Sequence, residues 1–286
     1  MADKFLPAAF IRHMNGPPPE IIHHYTTQNG LVGIIGNAEL WATKVQYLND
    51  SAEFSLALRL AQEQLGRRIL NANVRNKQVL EAMARTEGIA LVNIFVACFC
   101  RQGDLLSQWR GYARASSGFS IGIKSAGVQE AARLHGFTLG RCIYDRAEQT
   151  LIVDEAIDHC LNLDLDPIGT AASFEKLLLA VGAFFKDYGF HEEDEWRLVS
   201  GAVDIRDERV AFRPGRSMLA PYFKIPIGTD LRSVIHGILV GPCPHPALSE
   251  SSVKAILIQA GVTKQARWGP GYEVNVGAST IPYRDW

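Results

Sequence analysis

The spacing of apolar residues divides the chain into segments of different period. Ile21-Ile22-His23-His24-Tyr25-Thr26-Thr27 is β-branched and aromatic enough to predict a strand, which Asn29-Gly30 stops. Leu31 to Ile35 reads as a short helix, and Leu40 to Thr43 as a second strand. From Ser51 to about Glu87, Leu56, Leu60, Leu65, Ile69 and Leu70 recur at helical spacing, leaving Arg67, Arg68, Arg75 and Lys77 for solvent. Leu91 to Cys100 is nearly all apolar, as in a fully buried strand, while Gly118 to Ile123 alternates with a period of two. Phe137 to Tyr144 predicts another strand, and Arg146 to Cys160 and Ala171 to Tyr188 predict helices, the second with little polar face. After Glu195 the pattern is mostly strands: Trp196–Val203, Arg209–Arg213, Tyr222–Ile227 and Val234–Val240. One helix interrupts, from about Pro246 to Ala260, before extended segments at Tyr272–Val276 and Ile281–Arg284. Strands cluster late rather than alternating with helices, so the predicted class is α+β with a mixed, mostly antiparallel sheet.

Gly16-Pro17-Pro18-Pro19 resists helix and strand alike, so residues 1–19 are expected to form an extended lead-in. Residues 20–286 then form a single α+β domain with helical insertions near 51–88 and 146–189. The chain carries 29 Lys+Arg against 30 Asp+Glu, a formal net charge of −1, which supplies no general attraction to nucleic acid or an anionic membrane. A hydrophobic fraction of 47% is enough for a sizeable core, and 21% charged residues without a long charge block argues against a disordered interaction protein. Cys98, Cys100, Cys142, Cys160 and Cys243 form an odd set without a disulfide framework or zinc spacing, so reduced, buried thiols are expected. The first residues lack the order of a secretory signal, and no apolar run approaches a span of about 18 residues. A cytoplasmic location without a membrane partner is the expectation.

Neither common phosphate-cradling loop, G-x-x-x-x-G-K-[ST] or G-x-G-x-x-G, occurs, and H-E-x-x-H and G-x-S-x-G are absent as well. His23-His24 are adjacent on a strand and point to opposite faces, so one metal ion could take only one of them. Three polar clusters remain. His24-Tyr25-Thr26 lies on the opening strand. Tyr47-Leu48-Asn49-Asp50 with Glu53 stands at a helix entry, where it reads either as a cap or as part of a site. Glu192-Glu193-Asp194-Glu195 precedes Trp196-Arg197, whose neighbours draw Glu195 toward buried surface. Between them, Trp109 and Tyr112 share a helical face beside Arg110, which suits either core packing or stacking on a flat ligand.

Taken in order, His24-Tyr25-Thr26, Tyr47-Leu48-Asn49-Asp50 with Glu53, Ala97-Cys98-Phe99-Cys100, Ser107-Gln108-Trp109-Arg110-Gly111-Tyr112-Ala113, Gly118-Phe119-Ser120-Ile121-Gly122, Glu193-Asp194-Glu195-Trp196-Arg197 and Ile281-Pro282-Tyr283-Arg284 resemble the bacterial domain-of-unknown-function family 2971. A looser resemblance is to the ADP-ribosyltransferase fold, which implies a split sheet of that type. There a first-strand histidine holds the adenosine ribose of NAD, aromatics stack on nicotinamide, and a late-strand glutamate sits at the nicotinamide ribose. The resemblance implies Glu195 as the catalytic carboxylate and Glu193, first of an E-x-E, as its accessory toward the acceptor. It implies ligand contacts from His24, Tyr25, Thr26, Tyr47, Asn49, Asp50, Glu53, Trp109, Tyr112 and Ser120. The second motif of that fold, a Ser-Thr-Ser strand, has no clean counterpart here, and the Asn49-Asp50 cluster is foreign to it.

The implied function is an NAD-consuming ADP-ribosyltransferase or NAD glycohydrolase, of the kind found in bacterial toxins and phage-defence effectors. NAD is then the substrate, with a protein, nucleic acid, small molecule or water as acceptor, and a neutralising or sensor partner. The alternatives are a non-catalytic nucleotide- or protein-binding sensor module, and a hydrolase or nuclease using His24, Asp50 and Glu53. Strand alternation is expected to turn His24 toward the ligand and His23 with Tyr25 away. It is also expected to put Glu193 and Glu195 on one side and Asp194 on the other. Glu195→Gln is expected to lower turnover while hardly changing stability.

Overall fold

The computed structural model describes residues 6–48, 51–85, 92–112, 118–215, 218–228, 230–263 and 274–282. Strand β3 (Phe95–Cys100) is the branch point of the sheet. From Val96 to Cys100 one edge pairs antiparallel with β6 (Glu195–Ser200), which in turn carries β5 (Phe137–Arg141). The other edge is shared. Phe95 and Val96 pair with Lys44 and Thr43 of β2 (Glu39–Lys44), whereas Cys100 pairs with His23 of β1 (Ile21–Thr27). β1 and β2 therefore part company along the middle of β3. Beyond β1 follow β4 (Gly118–Lys124), β9 (Ile235–Val240) and β10 (Asn275–Ala278), and beyond β2 follow β8 (Leu219–Pro226) and β7 (Val210–Pro214). Only the β9–β10 pair is parallel among the described pairings of these strands, so the fold is α+β with a mixed, mostly antiparallel sheet.

Alternation along the central strands divides the interior. Phe95, Ala97 and Phe99 of β3, with Trp196 and Leu198 of β6, enter a core built with α2 (Gln28–Asn37), α6 (Ser125–His135), α9 (Leu231–Val234) and α10 (Pro246–Gln259). Val96 and Val199 turn the other way, into a core built with α1 (Ala8–Met14), α3 (Ser51–Leu70), α4 (Val74–Ala84), α7 (Arg146–Leu161) and α8 (Pro167–Gly182). On that second face a small separate cluster forms around Tyr25, Cys100 and Trp109, the last from α5 (Leu106–Tyr112). The polar cavity described below lies between these two apolar clusters, where β3 passes from Val96 to Cys100.

Most expected elements are present with shifted ends, including the helical pairs α3–α4 and α7–α8 and the strands after Glu195. Two differences have clear causes. The lead-in, expected to be extended, contains α1, whose Phe10 is buried against Phe184. Tertiary burial thus overrides the proline run that follows it. Helix α6 was not expected; its Val128, Ala131 and Ala132 supply a small-residue face that packs on β4 and β5. Ile281 and Pro282 are not in a strand, and Tyr283 and Arg284 lie outside the described residues. All five cysteines are free, as expected, with Cys100, Cys142 and Cys160 buried and Cys98 and Cys243 half-buried.

Candidate active site at the branch of the sheet

A row of paired residues crosses three strands. His23 of β1 lies opposite Cys100 of β3, and Cys100 lies opposite Glu195 of β6. Partners in an antiparallel pair project to the same face, so His23, Cys100 and Glu195 line up on the second face of the sheet. Two residues along, Cys98 faces Arg197. Beside them Tyr25 lies opposite Ser120. A cavity of about 40 Å³ opens here, lined by His23, His24, Tyr25, Cys98, Cys100, Gln108, Lys186, Glu193 and Glu195. The His23 ring is wedged against main chain. A methyl group on Gly103 would stand 2.5 Å from its Nδ1, and one on Gly122 would stand 3.3 Å from its Cε1.

Glu193 and Glu195 reach the cavity from either side of a sharp bend. A 3-10 segment, Tyr188–Glu193, delivers the chain to Asp194, which takes the left-handed conformation with φ 40° before β6 begins. Aspartate is among the residues that tolerate this region. The bend turns Asp194 outward to Arg141 at 2.6 Å and Arg101 at 3.6 Å, and both glutamates inward to Lys186. The expected sides are therefore observed, but through a left-handed residue rather than an extended strand.

Inside, four charges compensate one another. The Lys186 Nζ donates to Glu193 Oε2 at 2.5 Å and to Glu195 Oε2. Arg197 donates from Nε to Glu195 Oε1 at 2.8 Å, from a terminal nitrogen to Oε2 at 3.2 Å, and from its other one to the Ala183 carbonyl at 2.7 Å. The Glu195 main-chain N–H donates to the Tyr144 hydroxyl at 2.9 Å. Burial by itself would push the Glu195 carboxyl up, but Arg197 and Lys186 outweigh it and hold the group below the usual carboxylate range. Burial and the neighbouring Glu195 push the Cys98 thiol well up, so it is a neutral S–H beside the carboxylate. Oriented by Arg197, Glu195 presents a fixed negative charge.

The remaining expected residues distribute unevenly. His24 is on the opposite face from Glu195: its ring packs against Phe99, and Nδ1–H donates 2.9 Å to the Cys98 carbonyl in the wedge left by the divergence of β1 from β3. Alternation is obeyed, with His23 and Tyr25 together; the β1–β3 register sets His23 across from Cys100 on the face of Glu195, while His24 joins the cavity lining from the wedge between the strands. Burial lowers both imidazoles, with His236 adding to the effect at His23 and Arg213 at His24. Thr26 is buried on the face away from Tyr25, where its Oγ1 lies so close to Gly30 that no side chain would fit there. Trp109 is a core residue, fully buried, edge-on to Tyr25 at 4.8 Å and with its Nε1–H held by Asp104 at 2.6 Å, so it has no open face for a ligand ring. Ser120 is buried at the second face, and Tyr47 is exposed in the 3-10 turn after β2, away from the cavity lining. Helix α3 does begin at Ser51, but Asn49 and Asp50 lie outside the described residues, as do the side chains of Glu53 and Tyr112. Of the aromatics, Tyr25 alone lines the cavity among the described residues.

Sequence reasoning missed His23, Cys98, Cys100, Gln108, Lys186 and Arg197. Arg197 carried a usable signal, since it stands two residues from Glu195 on a strand and must share its face. Lys186 carried a weaker one, as the single cation directly after an apolar run ending Phe184-Phe185. A wider groove of about 490 Å³ lies on the opposite face between α2 and α10, but Leu31, Val32, Phe119, Val240, Leu248 and Val253 make it largely apolar. The reactive groups gather in the smaller cavity. Among the described residues no group of three or more His, Cys, Asp or Glu is placed to hold a metal ion, and no helix is long and apolar enough to cross a membrane.

Neither the curated proteins nor the solved structures compared with this chain yield a match. Residues 108–198, which take in most of α5, Lys186, both glutamates and Arg197, match the model of the family described as protein of unknown function (DUF2971).

Proposed function

We propose that the protein consumes NAD, as an ADP-ribosyltransferase or NAD glycohydrolase, with Glu195 at the nicotinamide ribose. The observation that carries this reading is the convergence of Glu193 and Glu195 on one cavity that β1 also lines, at the point where the sheet branches. In the reaction the bond between ribose C1′ and the nicotinamide nitrogen breaks, and its electron pair leaves with the ring, which becomes neutral. The positive charge passes to the ribose, where a fixed carboxylate stabilises it. A lone pair of the acceptor, or of water, then bonds to C1′, and Glu193 takes the proton that this nucleophile loses. Arg197 acts through Glu195, holding its carboxylate in place with two hydrogen bonds.

A second reading is favoured by the size of the cavity and by the complete pairing of Glu195. A space of about 40 Å³ admits a water-sized group rather than a nicotinamide ring, as befits a non-catalytic module with a structural ion cluster. Nicotinamide release from NAD by the purified chain separates the two. The enzyme reading expects release by the wild type, with a loss on the order of 10²-fold or more in a folded Glu195→Gln variant. Glu193→Gln should reduce transfer to an acceptor more than cleavage in water. No release with protein, nucleic acid or small-molecule acceptors would leave the binding module.

A further inference from the structure

We propose that Lys186 is an internal counter-ion that occupies the place of the substrate's positive charge, so that the arrangement described is the closed state of the site and ligand enters by displacing this ammonium. The inference rests on the NAD reading above and concerns how that site is opened. Glu193, Glu195, Lys186 and Arg197 sum to zero charge, and all four side chains are largely or wholly buried. A cation brought in beside them would leave an uncompensated buried charge, which is costly, whereas exchange for Lys186 preserves the balance. The substrate carries one positive charge on its nicotinamide ring, and the same charge moves to the ribose as the bond breaks. Lys186 stands against Glu195, the carboxylate assigned to this charge, and against Glu193 beside it.

The lysine is built to move at its side chain only. Its main-chain N–H donates to the Ile143 carbonyl at 3.0 Å, and its carbonyl accepts from Gln149 Nε2 at 2.9 Å. Backbone displacement is therefore resisted, and the flexible four-carbon stem is what can swing. Its ammonium is roofed by the Phe190 ring, 5.3 Å away, and Phe190 is itself 40% exposed on the short 3-10 segment. Phe190 is thus a partly solvent-exposed cover over the ammonium. Arg197 differs in being locked to Ala183 as well as to Glu195, so it stays and keeps the carboxylate oriented when Lys186 leaves.

The test compares 1-methylnicotinamide, a cation, with neutral nicotinamide by calorimetry on the full chain, using wild type, Lys186→Met and Lys186→Gln. Removing the ammonium is expected to tighten binding of the cation about tenfold or more while leaving the neutral ring unchanged. Lys186→Gln should also lower the KM for NAD more than it changes kcat. Equal tightening for both probes would mean that only space was gained, and would overturn the proposal. So would no tightening for the cation, or failure of both variants to fold by circular dichroism, which would make Lys186 a purely structural ion. NAD turnover by the wild type reports separately on the proposed function. Charge-selective tightening without NAD cleavage would sink the NAD reading and keep the exchange, whereas cleavage with an unchanged KM and no selectivity would do the reverse.

Discussion

Arg197 and Lys186 share the neutralisation of a carboxylate that is 3% exposed, and this changes what substitution there should do. From sequence, Glu195→Gln looked isosteric and harmless to stability. In the fold it would leave Arg197 facing a neutral amide, with Lys186 still paired to Glu193, so the buried cluster would carry one uncompensated positive charge. Breaking a buried ion pair from one side typically costs about 3–5 kcal/mol, because the stranded charge has lost its partner without regaining water. Glu195→Gln and Arg197→Met are both expected to fall in that range in urea melts. Arg197→Met should suffer doubly, since the Ala183 carbonyl also loses its donor. An effect below about 1 kcal/mol, the scale of exposed pairs, would mean that water reaches the cluster.

At the scale of elements, the bend at Asp194 decides whether two glutamates can meet. Its left-handed backbone and its ion pairs with Arg141 and Arg101 are separable contributions. Asp194→Gly retains the conformation and removes one carboxylate whose arginine partners are exposed, so a loss of about 1 kcal/mol or less is expected. Asp194→Val places a β-branched residue at positive φ and should cost about 1–3 kcal/mol more. Thermal melts of the two variants check this, and equal values would show that the backbone conformation carries no strain. The bend also marks where local pattern stopped being readable. Alternation correctly paired Glu193 with Glu195 and opposed Asp194, yet the strand begins only at Glu195. Helix α6 was illegible for a related reason: its buried positions are Ser125, Val128, Ala131 and Ala132, mostly small residues whose burial is evident only once β4 and β5 are beside them.

For the whole molecule, burial on both faces of the sheet makes stability depend on pH through the histidines of β1. Burial lowers both His23 and His24 in the folded chain. Below about pH 6.5, the ordinary imidazole value, the unfolded chain then binds more protons than the folded one. Stability present above that pH is therefore lost as the pH falls toward the folded values. Glu195, also lowered, adds a further loss below the ordinary carboxylate range. The urea midpoint should be lower at pH 5.5 than at pH 7.5, and an unchanged midpoint would mean that both rings are accommodated as cations. The histidines also show the limit of reading the chain alone. Their opposite facing followed from the period of a strand, and so did the α+β class, the helical pairs and the late strands, because these depend on residues only a few positions apart. Which histidine shares a face with Glu195 depended on a single register contact, His23 with Cys100, between strands more than 70 residues apart. The same holds for Lys186 between two glutamates, and for Trp109, which an aromatic spacing offered as a stacking surface and which Asp104 and Tyr25 enclose as core. Sequence determined the elements because their periodicity is local; tertiary structure decided the site because its charges meet only when strands distant in the chain are brought into register.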